Sequence, residues 1–209
     1  MDAALARGFT AFKLKLGAGG LGADLAAIRA VREAVGPQAE LMVDYNQALT
    51  IEEAIERGRA LDAEGLTWIE EPTRADDYIG HARIAAAIET PIQLGENWWG
   101  THDMEKSIAA GASQHAMFDA MKIGGASGWL RAAELAEQAA LPVSTHVFPE
   151  ISSHLLAATP TAHRLEYVDK VGPILSQPVH VQGGHVVLGR APGAGVEWDE
   201  RAIELVQNT

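Results

Sequence analysis

The chain has 209 residues, 47% of them apolar and 21% charged, with a formal net charge of -12. That length fits a single domain with a sizeable core, and so acidic a chain argues against nucleic acid or an anionic membrane as partner. The absence of cysteine excludes disulfides and thiolate metal sites. No apolar run approaches a membrane span and the opening has no signal-type segment, so a cytoplasmic location is the default expectation.

The first residues, MDAALARGF, read as the end of a helix. FKLKLG follows at 12–17, with Lys13 and Lys15 on one face of a strand and Phe12, Leu14 and Leu16 on the other. Alone, that pattern describes an edge strand protected by solvated lysines. GAGGLG at 17–22 has no acidic partner of the dinucleotide-binding kind and reads as a flexible loop. Residues 23–36 carry Leu25, Ile28 and Val31 at helical spacing and close on Gly36. ELMVD (40–44) is a strand, and TIEEAIERGRALDAEG (50–65) a helix with Thr50 and Glu53 as a capping box and Gly65 as its stop. The alternation continues through LTWIE (66–70), ADDYIGHARIAAAIE, PIQLGE (91–96), THDMEKSIAAG, HAMFD (115–119), ASGWLRAAELAEQAA, LPVSTH (141–146), EISSHLLAATPTA and HRLEY (163–167).

Successive strand ends are roughly 20 to 29 residues apart, one βα unit each. Seven such runs in a row predict an α/β fold of TIM type, a (β/α)8-like barrel with strands 2–8 present and the first missing, rather than an open doubly wound sheet. The pattern changes near residue 170. The expected organisation is a partial barrel over 1–170 and a small C-terminal extension over 171–209 packed against it.

In such a barrel the chemistry sits at the C-terminal strand ends. Here these carry Lys13 and Lys15, Asp44, Glu70, Glu96, Asp119, His146 and Glu166. Each alone has an ordinary explanation: a turn residue for Asp44, a solvated strand end for Glu70, a loop acid for Glu96, a core histidine for His146. A whole ring of ionisable groups needs a compensating cation or substrate. Asp44, Glu70 and Glu96 form an oxygen-only set, which selects Mg²⁺. Two adjacent ammonium groups depress each other's pKa, so one lysine could be a neutral base near pH 7. Asp119 and His146 would make an oriented imidazole base, and Glu166 a proton donor if burial raises its pKa.

FKLKLG, MVDYNQ, WIEEPT, GENWWG, DAMKIGG, STHVFPEIS and HLLAATPTAH-RLE together closely resemble the mandelate racemase branch of the enolase superfamily. The resemblance implies Asp44, Glu70 and Glu96 as Mg²⁺ ligands. It implies Lys15 as the base on one face of the substrate α-carbon and Lys13 as its partner and carboxylate contact. His146 with Asp119 becomes the opposite base, Glu166 the acid on the enolic oxygen, and Asn46 a substrate contact on the Asp44 strand face. Lys122 reads as a cation supporting the site residues from behind or as a structural one, Glu71 as a group behind the site or a salt-bridge partner, Trp98 and Trp99 as packing, and His81, His102, His180 and His185 as surface residues. The implied reaction is racemisation of a mandelate-like 2-hydroxy carboxylate. Acid-sugar dehydration is the alternative enzyme reading, and a non-catalytic fragment the alternative outside enzymes. The resemblance also implies a capping domain, which this sequence lacks. Self-association through the barrel's open seam is the expected protein contact.

Overall fold

The computed structural model describes residues 2–193 and 195–207. After the short helix α1 (Asp2–Ala6) come β1 (Ala11–Lys15), α2 (Leu21–Val35), β2 (Glu40–Asp44), α3 (Ile51–Leu61), β3 (Ile69–Glu70), α4 (Tyr78–Ala85), β4 (Ile92–Leu94), α5 (Thr101–Ala110), β5 (His115–Asp119), α6 (Gly125–Gln138), β6 (Val143–His146) and α7 (Pro149–Ala157). All six strands belong to one parallel sheet ordered β1-β2-β3-β4-β5-β6. Spatial order that follows chain order, with a helix after each strand, is barrel winding; a doubly wound sheet reverses direction at a switch point. The sheet curls far enough for Lys13 on its first strand to meet Glu166, beyond its last, at 2.6 Å.

Local chemistry explains the helix ends. Thr50 accepts from the Glu53 backbone while the Glu53 carboxylate accepts from Thr50, the reciprocal cap expected at α3. Gly111 ends α5 in the left-handed region, where glycine costs least. The core lies between the outer sheet face and the helices. Leu41, Val43, Ile69, Ile92, Leu94, Phe118 and Val143 from the strands are buried with Ile28, Leu61, Ile84, Met104 and Trp129 from the helices. Phe118 meets Trp129 edge-on at 5.0 Å. The inner sheet face carries Lys13, Asp44, Glu70 and Asp119 together with the buried Met42, Trp68 and Met117.

The structure corrects three sequence expectations about strands and packing. The expected seventh strand, 163–167, is extended but not a ladder strand: Val143 donates to Thr161, His163 donates to Val143 and Thr145 donates to Arg164, but Glu166 N donates to the Thr145 hydroxyl instead of a backbone carbonyl. The sheet therefore has six strands. His81 is fully buried in α4, its Nδ1 2.9 Å from the Asp77 carbonyl, because α4 packs that face inward. Of the paired tryptophans, Trp98 is buried as expected, but Trp99 is 72% exposed.

β1 and the 163–167 segment form the lips of a seam. Side chains tie them: Lys13 to Glu166, Arg164 to Glu40 on β2, and Arg7 to the Tyr167 hydroxyl at 3.1 Å, with the guanidinium also over the Phe9 ring. Under the seam lies a cavity of about 590 Å³ lined by Phe12, Met42, Trp68, Met117 and Leu165 among others. The antiparallel hairpin of β7 (His180–Gln182) and β8 (His185–Val187) docks by its turn on the N-terminal segment, Gly184 N donating to the Arg7 carbonyl. Helix α8 (Glu200–Gln207) is the last element. Among the described residues no helix is long and apolar enough to cross a membrane.

Candidate active site

Parallel register brings the strand-end groups level. Lys15 is paired with Asp44, Asp44 with Glu70, and Asp119 with His146. Glu96 stands just beyond β4. Gly95 makes the approach to it, at φ 133°, where an added Cβ would lie 2.5 Å from the Met117 carbonyl, so only glycine serves there. Asp44, Glu70 and Glu96 are all buried, and each offers an oxygen within 4.8 Å of those of the other two. Three buried carboxylates at this spacing repel one another and need positive charge between or beside them.

The lysines supply part of that charge. Lys13 Nζ lies 2.7 Å from Glu70 Oε1, 2.6 Å from Glu166 Oε1 and 3.8 Å from Asp44 Oδ2. Lys15 pairs with Asp44 Oδ2. Their side chains are 14% and 61% exposed, so Lys15 alone reaches the open mouth. The sequence expectation of a depressed lysine pKa does not hold in this arrangement. Burial lowers both lysines, but hydrogen bonds and charge from Asp44, Glu70 and Glu166 outweigh it, and both end above the ordinary value. Burial pushes Glu70 well up, only partly offset by Lys13. Trp68 Nε1 and Gln93 Nε2 both donate to Glu70 Oε2, each at 3.2 Å, fixing that carboxylate from below.

At the other end of the strand order, His146 Nδ1 is 2.7 Å from Asp119 Oδ2. Asp119 Oδ1 accepts from the backbones of Met121 and Lys122, and these bonds with that from His146 overcome burial to hold Asp119 below the usual carboxylate range. The hydrogen bond at Nδ1 leaves His146 Nε2 toward the site, 3.4 Å from Glu96 Oε2. Glu166 Oε2 accepts from Val147 N at 2.8 Å. That bond helps to hold Val147 at φ 43°, a costly conformation for a β-branched residue. Glu71, at φ 37°, carries similar strain just after Glu70.

Asn46 is not where an extended strand would put it. The chain turns at φ 47° and the Asn46 backbone donates to Asp44 Oδ1 at 2.7 Å. Asn46 is exposed at the rim rather than level with Asp44.

Sequence reasoning missed a buried group behind the site. Asp24 of α2 accepts from the Tyr45 hydroxyl at 2.9 Å and from Arg57 Nη1 at 2.8 Å, while the same guanidinium nitrogen holds the Gly19 carbonyl. This pins the glycine loop after β1, which was expected to be flexible. It also missed Asn97, whose amide lies between Glu71 and Lys122. Adjacency to Glu96 in GEN was the only signal for it.

A sequence profile for the family described as Enolase C-terminal domain-like matches residues 1–202. The L-talarate/galactarate dehydratase of Salmonella typhimurium strain LT2 is 35% identical over 202 residues, covering 97% of this chain and 51% of that protein. A Bradyrhizobium enolase solved with magnesium and mandelic acid superposes with a TM-score of 0.94 at 45% identity, over 98% of this chain and 56% of the other. The L-talarate dehydratase of Polaromonas sp. JS666, solved with Mg and L-glucarate, gives 0.91 at 32% identity, over 97% of this chain and 57% of the other. The chain thus spans about half the length of the relatives it matches. With its parallel strands wound in barrel order and its acidic triad at their ends, the chain belongs to the enolase superfamily, in the enolase C-terminal domain-like family.

Proposed function

We propose that this chain carries the site for Mg²⁺-assisted removal of the α-proton of a 2-hydroxy carboxylate, with racemisation of a mandelate-type acid as the outcome. The observation that carries the reading is the opposition of two bases across one acidic triad: Lys15 from the first strand of the sheet and His146 from the last. The Bradyrhizobium relative with mandelic acid and magnesium supports this choice of ligand and ion.

The donor set fits the ion. Asp44, Glu70 and Glu96 offer hard oxygens with no sulfur or nitrogen among them, and Glu96 Oε2 is buried without a hydrogen-bond donor. When bound, Mg²⁺ would supply positive charge beside the developing enediolate and compete with the lysines for the same carboxylate charge. The remaining work belongs to side chains. Lys13 holds a substrate carboxylate oxygen, and Asn46 at the rim orients the acid. Lys15, in its deprotonated form, takes the α-proton from one face, and His146 Nε2 holds or returns a proton on the other, its tautomer fixed by Asp119. Glu166, in its protonated form, donates a hydrogen bond to the enolic oxygen, so charge is met where it develops.

The likeness to talarate/galactarate dehydratases favours a second reading, dehydration of an acid sugar. It shares the first step and diverges when His146 protonates a departing β-hydroxyl. Exchange of the α-proton in D₂O, followed by NMR with each enantiomer of mandelate and with glucarate, separates the two. The expected result is Mg²⁺-dependent exchange of both mandelate enantiomers. Lys15→Ala removes exchange from one and His146→Ala from the other, each by about 10²–10⁴-fold. Equal loss of both with either variant overturns the two-base assignment. Exchange confined to glucarate, with loss of water, replaces the racemase reading by the dehydratase.

A further inference from the structure

A line of polar contacts runs behind the carboxylates and joins the two halves of the site. Asn97 Nδ2 lies 2.9 Å from both oxygens of Glu71 and 3.4 Å from Glu96 Oε1. Asn97 Oδ1 accepts from Lys122 Nζ at 2.7 Å. The backbone of Lys122 donates in turn to Asp119, whose other oxygen holds His146. Three loops, after β3, β4 and β5, are thereby stitched together by one asparagine and one lysine.

The direction of the amide follows from donor chemistry. An ammonium group has donors only and a carboxylate has acceptors only, whereas an amide has one end of each kind. Lys122 at one end therefore fixes Oδ1 toward itself and Nδ2 toward Glu71 and Glu96. The reversed amide would set oxygen against two carboxylates and NH₂ against an ammonium. With Lys122 in place, Glu96 Oε1 faces the Asn97 amide, while Oε2 makes no hydrogen bond and faces His146 Nε2 at 3.4 Å. A carboxylate held by one oxygen presents the other in a defined direction, which is how groups behind a metal ligand tune affinity.

We propose that Lys122 is a positioning residue that acts through Asn97 to orient Glu96 for a divalent cation. The inference rests on the proposed reading of Asp44, Glu70 and Glu96 as the cation site. Nothing in the strand pattern suggested it: in a regular strand Lys122 would point away from Asp119, but the chain has already left β5 and turned back toward the Asn97 loop.

Calorimetric titration of the chain with Mn²⁺ tests it without any substrate. Lys122→Met should weaken binding about tenfold or more. Lys122→Arg, which keeps a cationic donor, should recover most of that loss. Asn97→Asp keeps the side-chain size but cannot donate to Glu71 or Glu96, so it should weaken binding comparably, and it carries the test should Lys122→Met fail to fold. The double variant Asn97→Ala/Lys122→Met should bind no worse than Asn97→Ala alone, because Lys122 has then lost the group it works through. Wild-type affinity in both Lys122→Met and Asn97→Asp overturns the inference. So does a double variant whose losses multiply, since Lys122 would then act by charge alone. A wild-type chain that binds no Mn²⁺ overturns the cation site itself, and with it the proposed function.

Discussion

The arc from β2 to β5 and the seam between β1 and residues 163–167 are held together by different means. Along the arc, backbone ladders set the register, and the inward side chains Asp44, Glu70 and Asp119 contribute nothing to strand pairing. Across the seam no ladder joins the lips among the described residues, and side chains close the gap. Lys13 and Glu166 therefore have two tasks. They tie the lips and also form part of the proposed site. Where the backbone carries the fold, a site residue can be changed at a cost in chemistry alone; at the seam the same change costs both.

The largest expected effect follows from that double duty. Lys13→Met removes the partner of the fully buried Glu70 and the tie to Glu166, and should lower unfolding stability by about 3 kcal/mol in urea titration. An undiminished midpoint would mean that the seam does not depend on this pair. Acid provides a smaller perturbation. His115 of the arc and His163 of the lip stack with ring centroids 5.2 Å apart, and Trp68 lies against both. Burial first, and then His163, lower the His115 pKa from 6.5 to about 4. Between those values the unfolded chain takes up a proton that the folded chain refuses, so stability falls as pH drops through the window. A loss on the order of 1–2 kcal/mol is expected, reduced from the full linkage value because the imidazole is partly solvated. His115→Leu should flatten the slope, and an unchanged slope would place the acid sensitivity elsewhere. The smallest effect belongs to the Arg164–Glu40 tie, whose side chains are 40% and 38% exposed. Arg164→Met should cost no more than about 1 kcal/mol. A larger loss would make this outer tie, not Lys13, the main closure of the seam.

The same division explains what could be read in the sequence. The strands at 40–44 and 115–119 appear at their expected bounds because short apolar runs buried on both faces leave little room for another reading. The segment 163–167 has similar alternation but lacks a regular ladder, and alternation reports the faces of a strand rather than its pairing. The cluster Asp44, Glu70 and Glu96 was legible because one barrel rule places every strand end on one rim. The groups that hold those carboxylates were not. Trp68 and Gln93 reach Glu70 only through the register of β3 with β4, and Asn97 meets Lys122 only because two turns converge. The lysine pair was misread for a related reason. Repulsion between Lys13 and Lys15 is visible in the sequence, but the three carboxylates that outweigh it arrive from β2, β3 and the 163–167 segment.

One of those hidden contacts gives the chain an optical reporter. The indole of Trp68 is fully buried and donates directly to Glu70. Any event that changes the charge on that carboxylate changes the field across the ring, and so the colour and yield of its emission. Of the other tryptophans, Trp98 and Trp129 are buried in the apolar core and Trp99 and Trp198 face solvent. Ultraviolet fluorescence should therefore follow the acidic triad from within, with no added label.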